Sequence, residues 1–459
     1  MSVEWMPPTD DEPTQGPGSP STHGTSSRLL KAALGSFGLN VFNAAATILT
    51  AILLARVMGV AEFGVYALVV ATITLLGVPA ILGLDRLLTR DIAVHHSVDA
   101  HGLARGLLLR SQQLAIGTSV ALGTAGAVVV WLGSGGRLSA ELLAFWAGFA
   151  ALPFLALGRV VQAGLMGFHH VILGQAPELF LRPLLFLIMV VAVLAATNSL
   201  DAPLAVSLHA LSLLGATLVS IALLRRHVPA AIRRARPVFR TREWTASAVA
   251  LAFLSGAMIV NSQTGVVLLG SLEGPEASGL YAAAQRGALL IAFPLAAVNS
   301  AIAPMAARLW ASSDVERLQR LVTLSARGLL LVSFPLAMAF IFFGRPLLGV
   351  AFGAEFVAAD GALAILALGQ VVNAATGSVG TVLVMSGNQR RAAVGITLGA
   401  IVNVTLGIVF IPMLGVAGAA LAAACGLVVA NILLVSIARR TLGIDSTPLG
   451  RVARIVRSD

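Results

Sequence analysis

Two stretches of the chain, 65–84 and 394–437, contain no charged residue at all. An apolar run of about 20 residues is long enough to cross a bilayer as a helix. Backbone polar groups in lipid must find their hydrogen bonds internally, so we expect these runs to be helical. Only 11% of the residues are charged, whereas soluble domains have about a quarter. The sequence therefore predicts an all-α protein with many membrane spans.

The pattern of apolar runs and turns predicts twelve membrane-spanning helices. The run that ends near the C-terminus is interrupted by Pro412 and Gly415, which predicts two spans there. The predicted spans are 34–55, 65–84, 111–133, 141–164, 179–197, 203–224, 246–270, 279–304, 323–343, 360–385, 393–412 and 414–438.

The distribution of basic residues predicts the orientation of these spans. Positive charge on short loops marks the cytoplasmic side of a membrane. With the N-terminus inside, 26 of the 30 Lys and Arg residues fall in cytoplasmic segments and only Arg56, Arg137 and Arg345 fall outside. Both termini are therefore predicted to be cytoplasmic. The arginine-rich segment 225–242 has a composition that also suits nucleic acid, but a cytoplasmic linker that follows this rule is the simpler interpretation, and we expect no nucleic-acid partner.

One short pattern occurs twice, at an offset of 215 residues. GVAEFGVYA begins at Gly59 and GPEASGLYA begins at Gly274, and both read G-x-x-x-x-G-x-Y-A. The second glycine of each copy predicts a sharp turn or a close approach of backbones, and the tyrosine suits the outer membrane interface. Chance similarity between Gly/Ala-rich helices is the alternative. Further coincidences at the same offset are Leu53 with Leu268, Leu54 with Leu269 and Pro79 with Pro294.

This repeat predicts two six-helix lobes related by a pseudo-twofold axis along the membrane normal, with a substrate site between them. The predicted domains are a disordered cytoplasmic tail (1–27), an N-lobe with spans 1–6 (28–225), a basic cytoplasmic linker (226–242), a C-lobe with spans 7–12 (243–440) and a C-terminal cytoplasmic tail (441–459).

The repeated motifs also resemble those of a known family. LLARVMGVAEFGVYAL, starting at Leu53, is similar to the first loop of bacterial oligosaccharide flippases, the polysaccharide-biosynthesis transport proteins of the multidrug/oligosaccharidyl-lipid/polysaccharide superfamily. GPEASGLYAAAQR resembles the start of their eighth helix, and GVAGAALA the opening of their last helix. The resemblance covers about 28–440.

What this resemblance implies is a V-shaped, multidrug-transporter-like fold in the bacterial inner membrane. Such a protein flips undecaprenyl-diphosphate-linked oligosaccharide to the outer leaflet by alternating access between two lobes. The implied partners are the lipid-linked oligosaccharide, membrane lipids and the polymerase and glycosyltransferases of surface polysaccharide assembly.

Several enzyme classes lack their residues in this chain. Its only lysine, Lys31, follows Leu29 and Leu30, so no Walker A loop for ATP is present. The pairs that begin at His95 and His169 lie in predicted cytoplasmic loops without the spacing of a zinc site. We therefore expect neither a metal nor a cofactor, and no catalytic residue. A drug/cation antiporter of the same superfamily is the main alternative function, and a polysaccharide polymerase is a weaker one, because no long external loop is predicted.

Arg286 is the most specific candidate for substrate binding. It lies about seven residues into the predicted eighth span, and an arginine at such depth costs a few kcal/mol unless it faces protein or water. The equivalent residue of the first lobe is Ala71. A planar guanidinium can bind two oxygens of a diphosphate. Snorkelling to the outer surface, or a structural contact with a carbonyl, is the alternative.

Polar side chains in other spans are candidates for the same cavity, because sugars require hydrogen-bond donors and acceptors. Interhelical hydrogen bonding is the simpler alternative for any one of them. These candidates are Asn40, Asn43, Asn261, Gln263, Gln285 and Asn373.

Three charged residues are predicted to form a cytoplasmic entrance that receives the diphosphate: Arg159, Glu178 and Arg182. A pair between Glu178 and Arg182 at i,i+4 would explain them without a substrate. The predicted seventh span has NSQTG, starting at Asn261, where related proteins often have an acidic residue. Proton coupling through a buried carboxylate is therefore unsupported, while sodium coupling and uncoupled flipping stay open.

Overall fold

The computed structural model describes residues 22–450, apart from the side chains of 22–34, 250 and 253–255. The N-terminal tail (1–27) thus lies largely outside the described residues, as does the last part of the C-terminal tail. Within the described range the chain forms helices and no β-strand. The helices are α1 (Thr22–Ile81), α2 (Leu84–Ser97), α3 (His101–Gly133), α4 (Ala140–Gly167), α5 (Val171–Ala176), α6 (Arg182–Thr197), α7 (Ala202–His227), α8 (Ala230–Arg234), α9 (Thr241–Leu272), α10 (Pro275–Ala311), α11 (Val315–Ala351), α12 (Asp360–Ala375), α13 (Val379–Met385) and α14 (Gln389–Leu442).

Two of these helices are hairpins that contain two spans each. Gly59 interrupts α1 with φ 75° and ψ 179°, and Gly415 interrupts α14 with φ 54° and ψ −128°. Only glycine adopts such backbone angles readily. Beyond Gly415 the chain runs back along itself, because a Cβ on Gly399 would lie 2.6 Å from the Gly426 carbonyl oxygen.

Within the described residues, nine helical segments are long and apolar enough to cross a membrane. The hairpins in α1 and α14 add one span each. The apolar stretch Gly256–Leu272 of α9 supplies a further one. Over residues 22–450 the protein is therefore an all-α membrane protein with twelve spans, as the sequence predicts.

Several boundaries differ from the prediction. The third span is predicted to begin at residue 111, but α3 begins at His101. The helix therefore extends past the apolar run that is long enough to cross a bilayer. The tenth span ends at Ala375, and a turn at Gly377, with φ 63°, separates it from α13. The predicted loop that follows the second span contains α2, which buries Leu87 and Leu88 completely. The pair at His95 is thus helical, whereas the pair at His169 lies in the turn before α5.

The two copies of the repeated motif adopt the same backbone. Gly274, which precedes α10, has φ 97° and ψ 179°, close to the values at Gly59. The first glycine of each motif therefore makes the turn. The second glycine, Gly64 or Gly279, starts no helix but lies where two backbones touch. The tyrosines do not follow the prediction for the outer interface: Tyr281 is 1% exposed, and Tyr66 lines an internal cavity.

Three hydrophobic clusters show how the two lobes are arranged. One cluster lies at the end of the helices where Gly59 and Gly274 turn, here called the hairpin end, and it contains residues of both lobes, from Ala51 to Ala420. At the opposite end, here called the basic end, one cluster comes mainly from the N-lobe and includes Trp244 and Ala248 of α9, and another comes from the C-lobe. The two six-helix bundles therefore share one core at the hairpin end, whereas at the basic end two separate cores are joined through α9, which makes a V.

The basic linker is packed onto the N-lobe. Ile232 of α8 is fully buried, and the Val238 N–H donates to the Gly102 carbonyl at 2.9 Å. Arg105 donates to the Ala235 carbonyl at 2.7 Å. Trp244, at the start of α9, belongs to the N-lobe cluster. The proposed lobe boundaries at 225 and 243 stay predictions.

Candidate functional site

A cavity of about 560 Å³ lies between the two lobes. Its walls come from both arms of α1, from α4, α6 and α7 of the N-lobe, and from α9 and α10 of the C-lobe. Its volume is in the range of small-molecule sites. The cavity reaches the basic end at Asp85, Arg86 and Arg159. It is therefore the space that the V leaves open.

Arg286 lines this cavity from α10. Because α10 begins at Pro275, Arg286 is about 17 Å along the helix from the hairpin end, deeper than the sequence indicates. Within the described part of the chain, its guanidinium makes no hydrogen bond and no ion pair. Ala71, its equivalent in the repeat, lines the same cavity. The pseudo-twofold thus brings both positions to one site. Of these two equivalent positions, only the one in the C-lobe, Arg286, carries a charge.

The predicted entrance residues also line the cavity. Glu178 Oε1 lies 3.3 Å from Arg182 Nε and 4.0 Å from Arg159 Nη2. The first contact is the predicted i,i+4 ion pair. Its geometry does not make a hydrogen bond, and Arg182 Nε is buried with no acceptor among the described residues. This nitrogen therefore has hydrogen-bonding capacity left for a ligand.

A π-helical turn positions this group. Pro177–Leu181 forms one wide turn between α5 and α6. Such turns insert an extra residue into a helix and are frequent at functional sites. Glu178 lies within the turn and Arg182 follows it directly. The Pro177 ring cannot donate the hydrogen bond that a regular helix needs at this point.

Sequence reasoning missed a Tyr–His pair in the cavity. The Tyr66 hydroxyl lies 3.2 Å from His209 Nδ1, and both rings contact Phe186. Both residues line the cavity together with Arg182 and Arg286. A signal is present in the sequence, since His209 is the only ionisable residue of the predicted span 203–224. Ionisable residues inside a membrane span are by default candidates for function.

The predicted polar lining is only partly in place. Gln285, Gln263 and Asn43 line the cavity. Gln285 Nε2 donates to the Ser262 carbonyl at 2.8 Å, and Asn43 Oδ1 is buried without a partner in the described part of the chain.

The other three predicted amides lie outside this cavity. Asn261 accepts a hydrogen bond from Asn403 at 2.9 Å, and Asn373 accepts one from Asn431 at 3.2 Å. Asn40 donates to the Ser36 carbonyl of its own helix at 2.8 Å. Interhelical and intrahelical hydrogen bonding, the simpler alternative, accounts for their positions.

The cavity is closed at the hairpin end by contacts between the lobes. Arg56 donates to the carbonyls of Val350 and Ala351 at the end of α11. Glu355 Oε2 accepts the Val60 N–H at 3.1 Å. Below these contacts, the ring of Phe63 meets the edge of Phe356, with centroids 5.7 Å apart. Polar and aromatic contacts therefore seal the side opposite the opening.

The charge of the cavity is positive. Four arginines line it, while Asp85 and Glu178 are its only carboxylates within the described chain. Glu178 is already shared by two of the arginines. The excess of positive charge in a confined space suits an anionic ligand, because low-dielectric walls strengthen the attraction.

Comparison with known families identifies the chain. The model of the family described as polysaccharide biosynthesis protein matches residues 29–310, more than half of the chain. The chain belongs to this family. The family model described as MatE matches residues 249–409. The resemblance to the multidrug/oligosaccharidyl-lipid/polysaccharide superfamily is thus confirmed, and the protein is a transporter or flippase of this superfamily. No curated protein matches the chain.

Solved structures confirm the fold of this family member. A multidrug resistance MATE family transporter of the MOP superfamily, in an inward-facing conformation, is 12% identical, with a TM-score of 0.72 over 89% of this chain and 97% of that one. The lipid II flippase MurJ, in an inward closed conformation, is 14% identical, with a TM-score of 0.58 over 89% and 87%. The MATE multidrug transporter DinF-BH is 14% identical, with a TM-score of 0.59 over 92% and 96%.

Proposed function

We propose that this protein flips undecaprenyl-diphosphate-linked oligosaccharide across the bacterial cytoplasmic membrane for surface polysaccharide assembly. Its family and its fold place it among transporters and flippases. The observation that carries the choice of substrate is Arg286, a charged side chain without a partner in the described chain, deep in a cavity of net positive charge.

The geometry suits a diphosphate headgroup. Arg182 begins α6, about 23 Å along that helix from the hairpin end, whereas Arg286 is about 17 Å from it along α10. The two guanidinium groups therefore offer donors at successive depths of one cavity. Each can bind two phosphate oxygens with its planar fork. Gln285, Gln263 and Asn43 supply the amide groups that sugar hydroxyls require.

The direction of transfer follows from the charge pattern. The open end of the cavity carries most of the arginines, which the positive-inside rule assigns to the cytoplasm. In the conformation seen here the headgroup enters from the cytoplasmic leaflet. Closing the basic end and breaking the contacts of Arg56 and Glu355 would then expose it to the other side, as alternating access between two repeats requires.

A drug/cation antiporter is the second candidate, and the structural likeness to multidrug transporters favours it. A cationic substrate needs a carboxylate that is free to attract it. Asp85 lies at the mouth of the cavity, and Glu178 is engaged with two arginines. The electrostatics of this cavity therefore favour an anion over a cation.

Two assays on the purified protein in vesicles separate these functions. In the first, a short undecaprenyl-diphosphate oligosaccharide is placed in one leaflet, and its appearance in the other leaflet is followed. In the second, efflux of a cationic dye is measured under sodium and proton gradients. A flippase accelerates the first process over protein-free vesicles and leaves the second unchanged. Dye efflux without lipid transfer would replace the proposal with the antiporter.

A further inference from the structure

The linker between the two lobes, residues 226–242, is held closely against α3. A Cβ on Gly106 would lie 1.9 Å from the Val238 carbonyl oxygen, and one on Gly102 would lie 2.8 Å from the Arg236 carbonyl oxygen. Alanine at either glycine would therefore push the linker off the helix. Together with the buried side chain of Ile232, these contacts make the linker a folded part of the N-lobe, which a simple connection between two lobes does not require.

The second half of this linker exposes five arginines, which are Arg233, Arg234, Arg236, Arg240 and Arg242. Arg240 lies 3.5 Å from the Glu243 carboxylate. The other four make no side-chain hydrogen bond or ion pair with any residue that the structure describes. An array of positive charges without counter-charges attracts anions, so this surface is suited to an anionic ligand.

Two apolar side chains lie among these arginines. Val238 is 48% exposed and Phe239 is 50% exposed, although their segment is packed against α3. Exposure of apolar surface to water is unfavourable, whereas an aromatic ring flanked by basic residues is typical of segments that lie at a membrane interface. The five arginines, Val238 and Phe239 are here called the linker patch.

The linker patch lies near the height of the lipid headgroups. Gly106 is about 8 Å along α3 from residue 111, where the predicted third span begins. The headgroup layer of a bilayer is about 5–8 Å thick on each side. Val238, whose backbone touches Gly106, is therefore at the edge of this layer, where the long side chains next to it can reach lipid phosphates.

We propose that the linker patch binds the phosphate groups of anionic lipids in the leaflet at the basic end, with Phe239 inserted among the headgroups. Guanidinium groups bind phosphate oxygens in pairs, and each basic residue near an anionic membrane surface adds to the attraction. The bound lipids would hold the linker, and with it the start of α9, at a fixed depth in the membrane. This binding does not depend on which substrate the protein carries.

The apolar part of the patch favours a lipid over a soluble polyanion. RNA or an acidic protein segment would neutralise the arginines but would leave Val238 and Phe239 beside water or polar groups. A membrane surface satisfies both parts of the patch, because it offers phosphates and an apolar layer directly below them.

The test measures which lipids lie against the linker patch. Cys425→Ser removes the native cysteine, and Phe239→Cys provides a site for a bimane label, which keeps an aromatic group at this position. This labelled parent protein is reconstituted in phosphatidylcholine vesicles that contain a small fraction of either phosphatidylglycerol or phosphatidylcholine with a spin label near the headgroup. Quenching of the bimane fluorescence then gives the relative binding constant of each lipid at the patch.

Two double variants of the labelled protein locate the charges responsible. Arg233→Gln with Arg234→Gln removes two charges of the patch. Arg390→Gln with Arg391→Gln is the matched control, because these arginines are also adjacent and exposed but lie at the start of α14 in the C-lobe. We expect the parent protein to prefer phosphatidylglycerol several-fold over phosphatidylcholine. The patch variant should lose at least about fivefold in its binding constant for phosphatidylglycerol, and the control should keep the parent value.

Salt provides a further check, because the patch is exposed. At about 1 M NaCl the Debye length is about 3 Å, so the preference for phosphatidylglycerol should vanish. Equal quenching by both lipids at low salt, or no quenching by either, would overturn the inference. An equal loss in the control variant would do the same, since total positive charge would then attract the lipid. Displacement of phosphatidylglycerol by RNA or polyglutamate at low salt would assign the patch to a soluble partner instead.

Discussion

Gly64 and Gly279 meet where the two lobes touch, and their contacts are reciprocal. A methyl group on Gly64 would overlap the Pro275 carbonyl, and one on Gly279 would overlap the Val60 carbonyl. Positions 60 and 275 are themselves equivalent at the offset of 215 residues. The same surface therefore meets itself, as in a twofold interface, and the pseudo-twofold axis passes between these two glycines.

This contact predicts a steric penalty at Gly64. Gly64→Ala would force the backbones of α1 and α10 apart, and overpacking of this kind costs roughly 1–3 kcal/mol. Gly328→Ala is the control, because Gly328 lies in α11 with no neighbouring atom near its missing Cβ. Alanine there should be neutral or stabilise the helix by about 0.5–1 kcal/mol. Thermal unfolding in detergent measures both, and equal melting temperatures for the two variants would contradict the close approach.

The contacts at the hairpin end predict a second effect. Arg56→Ala removes the bonds to two carbonyls at the C-terminus of α11, where a positive charge is favoured. The lobes should then part more readily at this end. Arg137→Ala is the control, since Arg137 is exposed and makes no side-chain hydrogen bond or ion pair in the described chain.

Cysteine labelling measures this opening. The one native cysteine is replaced by Cys425→Ser, and Ala67→Cys places a thiol in the cavity wall. A membrane-impermeant maleimide added from the side of Arg56 should label the Arg56→Ala protein several-fold faster than the Arg137→Ala protein. Identical rates would show that Arg56 does not contribute to the seal.

The two tyrosines of the repeat should respond differently to loss of their hydroxyl groups. Tyr66 is hydrogen-bonded to His209, so Tyr66→Phe should lower the free energy of unfolding by about 1 kcal/mol. Tyr281 is buried against Gly265, and its hydroxyl makes no hydrogen bond with the described residues. Tyr281→Phe should therefore be neutral or slightly stabilising. Chemical unfolding measures the free energy of unfolding of both variants. Equal decreases would show that the hydrogen bond between Tyr66 and His209 does not stabilise the fold.

The segment after α14 predicts a dependence on pH. Burial alone would raise the pKa of Asp445, but hydrogen bonds from the Thr447 N–H and hydroxyl and from Arg439 outweigh it and hold the pKa below its ordinary value of 3.8. A lowered pKa means that the ionised carboxylate stabilises the folded segment above pH 3.8. That stabilisation is lost as the pH falls through the lower folded value.

Asp445→Asn should therefore increase amide hydrogen exchange of 443–450 at neutral pH, and the difference from wild type should vanish in strong acid. Asp99→Asn is the control, because the Asp99 carboxylate is 88% exposed and should change nothing at either pH. A difference for Asp445→Asn that persisted below the folded pKa would mean that the effect is not ionic.

The spans and the repeat can be predicted because their signals are local. Charge-free runs, turn residues and a fixed offset between two motifs are visible in the sequence alone. Packing onto other helices is not visible, and this explains the amides. Asn43 faces the cavity, whereas Asn261 pairs with Asn403, and nothing in the sequence near either one indicates which face of its helix is buried.

The charged residues of the site are easier to predict, because an arginine in an apolar span needs a reason to be there. This reasoning finds Arg286, although the position of the predicted span underestimates its depth, whereas Arg182 is predicted as part of a cytoplasmic entrance. His209 carries the same signal, because it is an ionisable residue in a predicted membrane span. The Glu178–Arg182 pair follows from their i,i+4 spacing, but the π-helical turn that orients Glu178 has no sequence signature beyond Pro177.

The most direct test of the central claim is leaflet transfer by Arg286→Ala. Wild-type protein and the variant are reconstituted with a short undecaprenyl-diphosphate oligosaccharide, with Arg137→Ala as a control for loss of one positive charge. Arginine donors to a phosphate contribute about 1.5–3 kcal/mol each, so transfer at low substrate should fall by at least about tenfold in Arg286→Ala and stay unchanged in the control. Transfer by folded Arg286→Ala at the wild-type rate would contradict a diphosphate site at this arginine.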